Sequence, residues 1–184
     1  MKINPEYAFV DGKKYKINTD YRVALHCEKI ARDEKISEYK KPLIIIYLLF
    51  GEIALKNPNN YEKFLKQAIK FLKINEKENI QNEVIDFDFE QDYRLVKDSF
   101  LAERGIDIEK EKIHFWDFYD ALNGLTDKCI LNRVREIRTY DTTGLTSKQK
   151  AKIEQLKKQF ALIKKVSLSE EQKRSVEFFE KSLK

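Results

Sequence analysis

The chain has little to build turns with. Among 184 residues there are 5 glycines and 3 prolines. All-β folds need many close turns rich in these residues, so their scarcity points to helices. Cysteine is as scarce. Cys27 and Cys129 stand far apart and form no CxxC pair. Two free thiols in a reducing compartment are therefore expected rather than a disulfide framework. Long apolar runs are missing too: the longest, LIIIYLLF at 43–50, has eight residues, whereas a membrane-spanning helix takes about 20. The opening MKINPEYAFVDG carries no apolar leader of the secretory type. No membrane association and a cytoplasmic location are expected.

Catalytic signatures are equally thin. The five glycines are scattered, so there is no phosphate-cradling loop, and no GxSxG turn occurs. His114 has no HxxxH, HxxE or CxxC partner spacing that would suggest a metal site. His26 lies beside an apolar stripe, where an imidazole at the edge of a core is the expected reading. Paired acids such as those in DFDFEQD (86–92) can do acid–base or metal work, but alternating Asp and Phe ahead of a helix reads more simply as capping plus core. No enzyme is expected, with no catalytic, cofactor-binding or metal-ligating residue.

What the chain does have is charge and apolar residues in helical register. Charged residues make up 36% and hydrophobic ones 42%, a globular composition with a strongly charged surface. The net charge of +5 is uneven. Residues 129–184 hold 14 Lys/Arg against 7 Asp/Glu, and residues 1–128 hold 22 against 24. A basic C-terminal third can meet nucleic acid or an acidic protein, or be only a solvated helix face.

YAFV-DG-KKYKIN predicts an N-terminal hairpin around an Asp-Gly turn. Thr19 or Asp20 then caps a helix with Val23, Cys27 and Ile30 inward. Pro42 suits the first turn of a buried helix through LIIIYLLFGEIAL, although a buried strand has the same pattern. Pro58 opens a helix with Phe64, Ala68, Phe71 and Leu72 on one face. The polar stretch 75–83 reads as a linker, and VIDFDF (84–89) as extended. A helix follows with Tyr93, Val96 and Phe100 on one face, stopped by Gly105.

The segment IHFWDFYDALNGL (113–125) packs an unusual density of aromatics. Phe115, Phe118 or Tyr119, Leu122 and Leu125 recur at helical spacing, while Asp117, Asp120 and Asn123 share a polar face. Base-stacking platforms interleave aromatics with Lys and Arg. Acids stand here instead, so the pattern is that of a helix burying a wide aromatic face. Beyond it, a helix capped by Thr126-Asp127 turns Ile130, Val134 and Ile137 inward and leaves Arg133, Arg135 and Arg138 for the surface. After the TTG break at 142–144, residues 145–165 read as a long charged helix. Its Ile153, Leu156, Phe160 and Ile163, spaced 3-4-3, form a short heptad-like seam able to meet its own domain or a partner helix. Ser169 and Gln172 form a capping box before a last helix. The fold expected is mainly α: a small helical domain with an N-terminal β-hairpin (1–144) and peripheral C-terminal helices (145–184) that pack on it or on a partner.

Two blocks resemble a known family. VDGKKYKINTDYRVAL, together with IDFDFEQDYRLVKDSFLAERGIDIEKEKIHFWDFYDALNGL and the later VREIRTYD, is similar to the bacteriophage gp-fifteen proteins of tailed phages infecting Gram-positive bacteria. The likeness spans about residues 7–165. Arg104 stands where an aromatic is common in the family and Phe115-Trp116 where two tryptophans are, residues 35–83 match in hydrophobic pattern alone, and 166–184 extend past the usual end. The resemblance implies a tail assembly chaperone in the cytoplasm of a bacterial host. Such a protein binds the long tape measure protein, keeps it soluble and helps tail-tube subunits polymerise, so the tape measure and the major tail tube protein are the implied partners, with a homo-oligomer also open. A structural or adaptor component retained in the tail particle is the alternative. A nucleic-acid-binding role would rest on NRVREIR, whose apolar residues are needed for the core, so no nucleic-acid partner is expected. The residues expected to meet a partner are Arg133, Arg135, Arg138, Ile153, Leu156, Phe160 and Ile163.

Overall fold

The computed structural model describes residues 4–72 and 86–163. Strands β1 (Tyr7–Val10) and β2 (Lys13–Lys16) pair antiparallel, with Val10 opposite Lys13. The turn between them puts Asp11 at φ 49° and Gly12 at φ 74°. Two successive positive φ values define the type I′ turn that matches strand twist, and Asp-Gly is among the pairs that tolerate it best. Ala8 and Val10 face inward.

Seven α-helices follow among the described residues: α1 (Tyr21–Arg32), α2 (Lys40–Phe50), α3 (Tyr61–Leu72), α4 (Tyr93–Arg104), α5 (Phe115–Asn123), α6 (Ile130–Thr139) and α7 (Ser147–Gln159). The chain is thus mainly α with an N-terminal hairpin. Helix α2 packs on α1 and α3, α5 on α1 and α4, α6 on α4, and α7 on α6. A short antiparallel bridge ties the starts of α1 and α5. Tyr21 N–H donates to Ile113 O at 3.0 Å and Phe115 N–H to Thr19 O at 2.7 Å.

The aromatic segment is core. Phe118 is fully buried between Tyr21, stacked at 4.1 Å, and Phe100, stacked at 5.1 Å. The Tyr21 hydroxyl, sealed in this stack, donates to Ile108 O at 2.9 Å, and burial raises its pKa. Trp116 is only half-buried. Its indole N–H reaches Phe71 O at 2.9 Å, and its ring stacks on that of Phe71. His114 caps α5: Nδ1 accepts from Trp116 N–H, so Nε2 carries the hydrogen and donates to Pro5 O at 3.2 Å. The imidazole is a structural pin between the N-terminal segment and α5. Asp117, Asp120 and Asn123 are exposed as a polar face.

Several elements depart from the sequence expectation. The buried stripe of α1 is Tyr21, Ala24, Cys27 and Ile30. Val23 is half-buried and His26 is exposed, not at the core edge. Helix α2 does not run through residue 55. Gly51, at φ 75°, ends it, and a 3-10 turn covers Glu52–Leu55. Residues 86–89 form no strand: the aspartates bend the backbone, Gln91 N–H donating to Asp88 Oδ1 at 2.9 Å. Cys129, not Thr126-Asp127, caps α6, its Sγ accepting from Asn132 N–H. Leu131 takes the inward place expected of Ile130, which is exposed. Helix α7 ends at Gln159, short of residue 165. Gly105, in contrast, stops α4 as expected, in left-handed conformation with its N–H on Leu101 O and the Ile106 N–H on Phe100 O. The whole of the 75–83 linker and the whole 169–184 helix fall outside the described residues.

Candidate partner-binding face

The seven residues expected to meet a partner fall on α6, α7 and the few residues after α7, and they split three ways. Arg138, expected at the surface, is inside. Its side chain is 9% exposed and grips Asp92, 2% exposed, through Nη2–Oδ1 at 2.7 Å and Nη1–Oδ2 at 2.8 Å. Two further N–H groups of the same guanidinium reach main-chain oxygens, Nη1 to Asp86 O and Nε to Phe160 O, both at 2.7 Å. Arginine suits this position because its planar fork offers five donors in fixed directions. Asp92 also accepts from Asp88 N–H at 3.1 Å. One ion pair thus joins the bend at 86–92, the start of α4, the end of α6 and the end of α7. Among the described residues no buried side-chain N or O lacks a hydrogen-bond partner, which is the condition under which a buried pair is tolerated.

Arg135 is half-engaged. Its Nε donates to Asp86 Oδ2 at 2.9 Å and its guanidinium lies over the Phe87 ring. Arg133 is exposed and makes no ion pair among the described residues. The arginines of α6 therefore do not form one basic stripe, because two of the three are answered by Asp86 and Asp92.

Helix α7 begins with a capping box. Thr146 Oγ1 accepts from Gln149 N–H, and the Gln149 side chain accepts from Thr146 N–H. No residue of α7 is buried. Ile153, Leu156 and Phe160 are half-buried, and Ile163 is 78% exposed. None of the four belongs to the packed core or to the shell of side chains against it. The segment after α7 is held instead by its backbone. Phe160 O takes Arg138, and the Gln91 side-chain amide brackets Ile163, accepting from its N–H at 2.7 Å and donating to its O at 3.1 Å.

Sequence reasoning missed Asp92 and Gln91. A signal existed for the first: a cluster of acids in 86–92 and a cluster of arginines in α6, opposite in sign. Their pairing spans 46 residues, and periodicity carries no information over that separation.

Elsewhere the chemistry is quiet. Among the described residues no group of His, Cys, Asp or Glu is arranged to hold a metal ion, and no helix is long and apolar enough to cross a membrane. Both cysteines are free and buried, and burial pushes the Cys27 thiol up to about 12. Asp20, the cap of α1, is held below its ordinary pKa by the hydrogen-bonded guanidinium of Arg22, at 2.7 Å.

A protein-family model described as "Bacteriophage Gp15 protein" matches residues 5–162. No curated protein and no solved structure matches the chain.

Proposed function

The chain belongs to the bacteriophage Gp15 protein family, which makes it a phage structural or assembly protein, and we propose that it is a tail assembly chaperone: it binds the helical tape measure protein, keeps it soluble and supports assembly of the tail tube around it. The observation that carries the reading beyond the family is the state of α7. Its apolar seam lies outside the main core, half covered where α7 packs on α6, and the segment after the helix is held by backbone contacts. A side-chain seam at 3-4-3 spacing that its own core does not use fits a second helix.

The work takes place in the bacterial host during tail assembly, and the reading includes no catalysis. Binding through an apolar seam draws on about 25 cal/mol per Å² buried and is insensitive to moderate salt. A nucleic-acid binder that neutralises several phosphates instead loses about 10³-fold or more in affinity between 50 and 200 mM salt. The test is co-expression of the phage's tape measure protein with and without this chain, then pull-down at both salt concentrations. A soluble complex recovered at both is expected. An equally soluble tape measure in the chain's absence, with no complex, refutes the chaperone reading. Recovery of the chain from purified virions favours a retained tail component instead.

A further inference from the structure

Helix α2 carries a second apolar face that the core does not use. Ile45, Ile46, Leu49 and Phe50 point inward and are buried. Tyr39, Leu43 and Tyr47 recur at every fourth residue on another side, 89%, 36% and 47% exposed. Residues four apart lie one above the other on a helix, so these three form a stripe about 12 Å long. At the Tyr47 end the stripe opens into a shallow groove between the last turn of α2 and the segment leaving β2, where Asn18 N–H donates to Leu49 O at 2.7 Å.

Lysines stand at both ends of this stripe. No acidic residue lines the groove, while Lys16 and Lys112 stand at its walls. Both are exposed and neither makes an ion pair among the described residues, although Lys112 is near enough to Asp20 to favour its ionised form. Helix α2 itself contains no acid. At its other end Lys40 is exposed and makes no ion pair among the described residues, the nearby Glu38 being taken by Lys41. An apolar stripe is thus bracketed at both ends by lysines that make no ion pair among the described residues.

We propose that this face of α2 docks an amphipathic helix of a partner protein, with that helix's apolar edge on Tyr39, Leu43 and Tyr47 and its acidic side chains paired with Lys16 and Lys112 at one end and Lys40 at the other. Positions i, i+4 and i+8 share one broad face of a helix, and an apolar helix face is a surface on which an amphipathic helix docks. A second copy of this chain fits poorly: an isologous contact sets the patch against itself, which would press lysines on lysines. The face is separate from the α7 seam, and the inference rests on the reading that the chain binds a helical protein.

The experiment uses the full chain and the tape measure protein of the same phage as the probe. Two double variants are compared with wild type, Leu43→Glu/Tyr47→Glu for the stripe and Lys16→Glu/Lys112→Glu for the brackets, with Ile153→Glu/Leu156→Glu as the variant of the α7 seam. Each of the first two is expected to weaken binding at least about tenfold with its melting transition retained. A photo-crosslinker placed at Tyr47 is expected to label an acidic amphipathic segment of the probe. Binding within about twofold of wild type by both double variants overturns the α2 site and leaves the chaperone reading standing. Failure of wild type itself to bind overturns both. Loss in the α7 variant alone overturns the α2 site by assigning the partner to α7. A concentration-dependent dimer in sedimentation that Leu43→Glu/Tyr47→Glu dissolves overturns it in favour of a second copy, and binding to anionic vesicles that Lys16→Glu/Lys112→Glu abolishes overturns it in favour of a lipid surface.

Discussion

Arg138→Ala is expected to destabilise the protein by about 3–5 kcal/mol, the cost of stranding one member of a buried ion pair. The structure supplies the reasons for so large an effect. Asp92 is 2% exposed, so water cannot replace the guanidinium. Both of its oxygens lose a charge-assisted hydrogen bond, and the carbonyls of Asp86 and Phe160 each lose a donor. An exposed pair behaves otherwise: its loss costs about 0–1 kcal/mol. Arg133→Ala, on the same helix and exposed, is the internal control and should stay within about 0.5 kcal/mol of wild type. Arg138→Lys should recover only part of the loss, since an ammonium cannot reach two carboxylate oxygens and two carbonyls in one plane. Urea titration followed by far-UV circular dichroism reads the midpoint and slope of each variant. The double variant Arg138→Met/Asp92→Leu closes a cycle, and it should be much closer to wild type than either single change, because a buried pair is often replaced by apolar residues at little cost. An Arg138→Ala loss below about 1 kcal/mol, or a double variant as unstable as the sum of the singles, would show that Arg138 is hydrated in solution and that the hub does not hold the end of α7.

The aromatic stack gives a second test: Phe118→Ala should cost about 3–5 kcal/mol in the same titration, and a stable variant would remove the stack from the core. Trp116→Phe keeps most of the ring but strands Phe71 O, for about 1–3 kcal/mol; the native tryptophan emission should be partly shifted toward the water-exposed position, as fits a half-buried indole. Cys129→Ser should preserve the cap of α6, whereas Cys129→Ala should lose about 1 kcal/mol, both read from thermal melts. Asp20 has a folded-state pKa below its ordinary value of 3.8 because Arg22 holds the ionised form, so its contribution is present above the unfolded pKa and fades as pH falls through the folded one. Asp20→Asn, which retains a capping side chain, should therefore be less stable than wild type at pH 7, with the gap closing under strong acid; a gap independent of pH would refute the electrostatic origin.

Local features of the fold were legible because their causes are local. Asp11-Gly12 requires the hairpin turn, Gly105 can adopt the left-handed cap, and Phe64, Ala68, Phe71 and Leu72 lie on one face whatever they pack against. The errors share a different cause. Periodicity gives the angular width of an apolar face but not which edge of it meets the core. Hence Tyr21 and Ala24 are buried on α1 where Val23 was expected, and Leu131 on α6 where Ile130 was expected. The run at 43–50 looked uniformly buried because apolarity does not distinguish a core face from an unused one, and Leu43 and Tyr47 are exposed. Arginines on α6 looked like surface because charge is usually solvated. Only the arrival of Asp92 from the start of α4 makes burial of Arg138 possible, and that meeting is a property of the tertiary fold.

The way α7 is attached bears on how such a protein can serve a partner. Were Ile153, Leu156 and Phe160 core residues, changing them to suit another helix would also change stability, by about 2–5 kcal/mol for each large truncation. They are not part of the core. Arg138 and Gln91 hold the end of the arm through the main-chain groups of Phe160 and Ile163, and those groups are present whatever side chain stands there. This part of the attachment thereby does not depend on the identity of the contact side chains. Substituting Phe160 or Ile163 should alter partner binding with little change in the melting transition, while Gln91→Ala should loosen the arm without touching a single seam side chain. If Phe160→Ala instead unfolds the protein as severely as Phe118→Ala, the seam belongs to the core and cannot be the free edge that a partner helix reads.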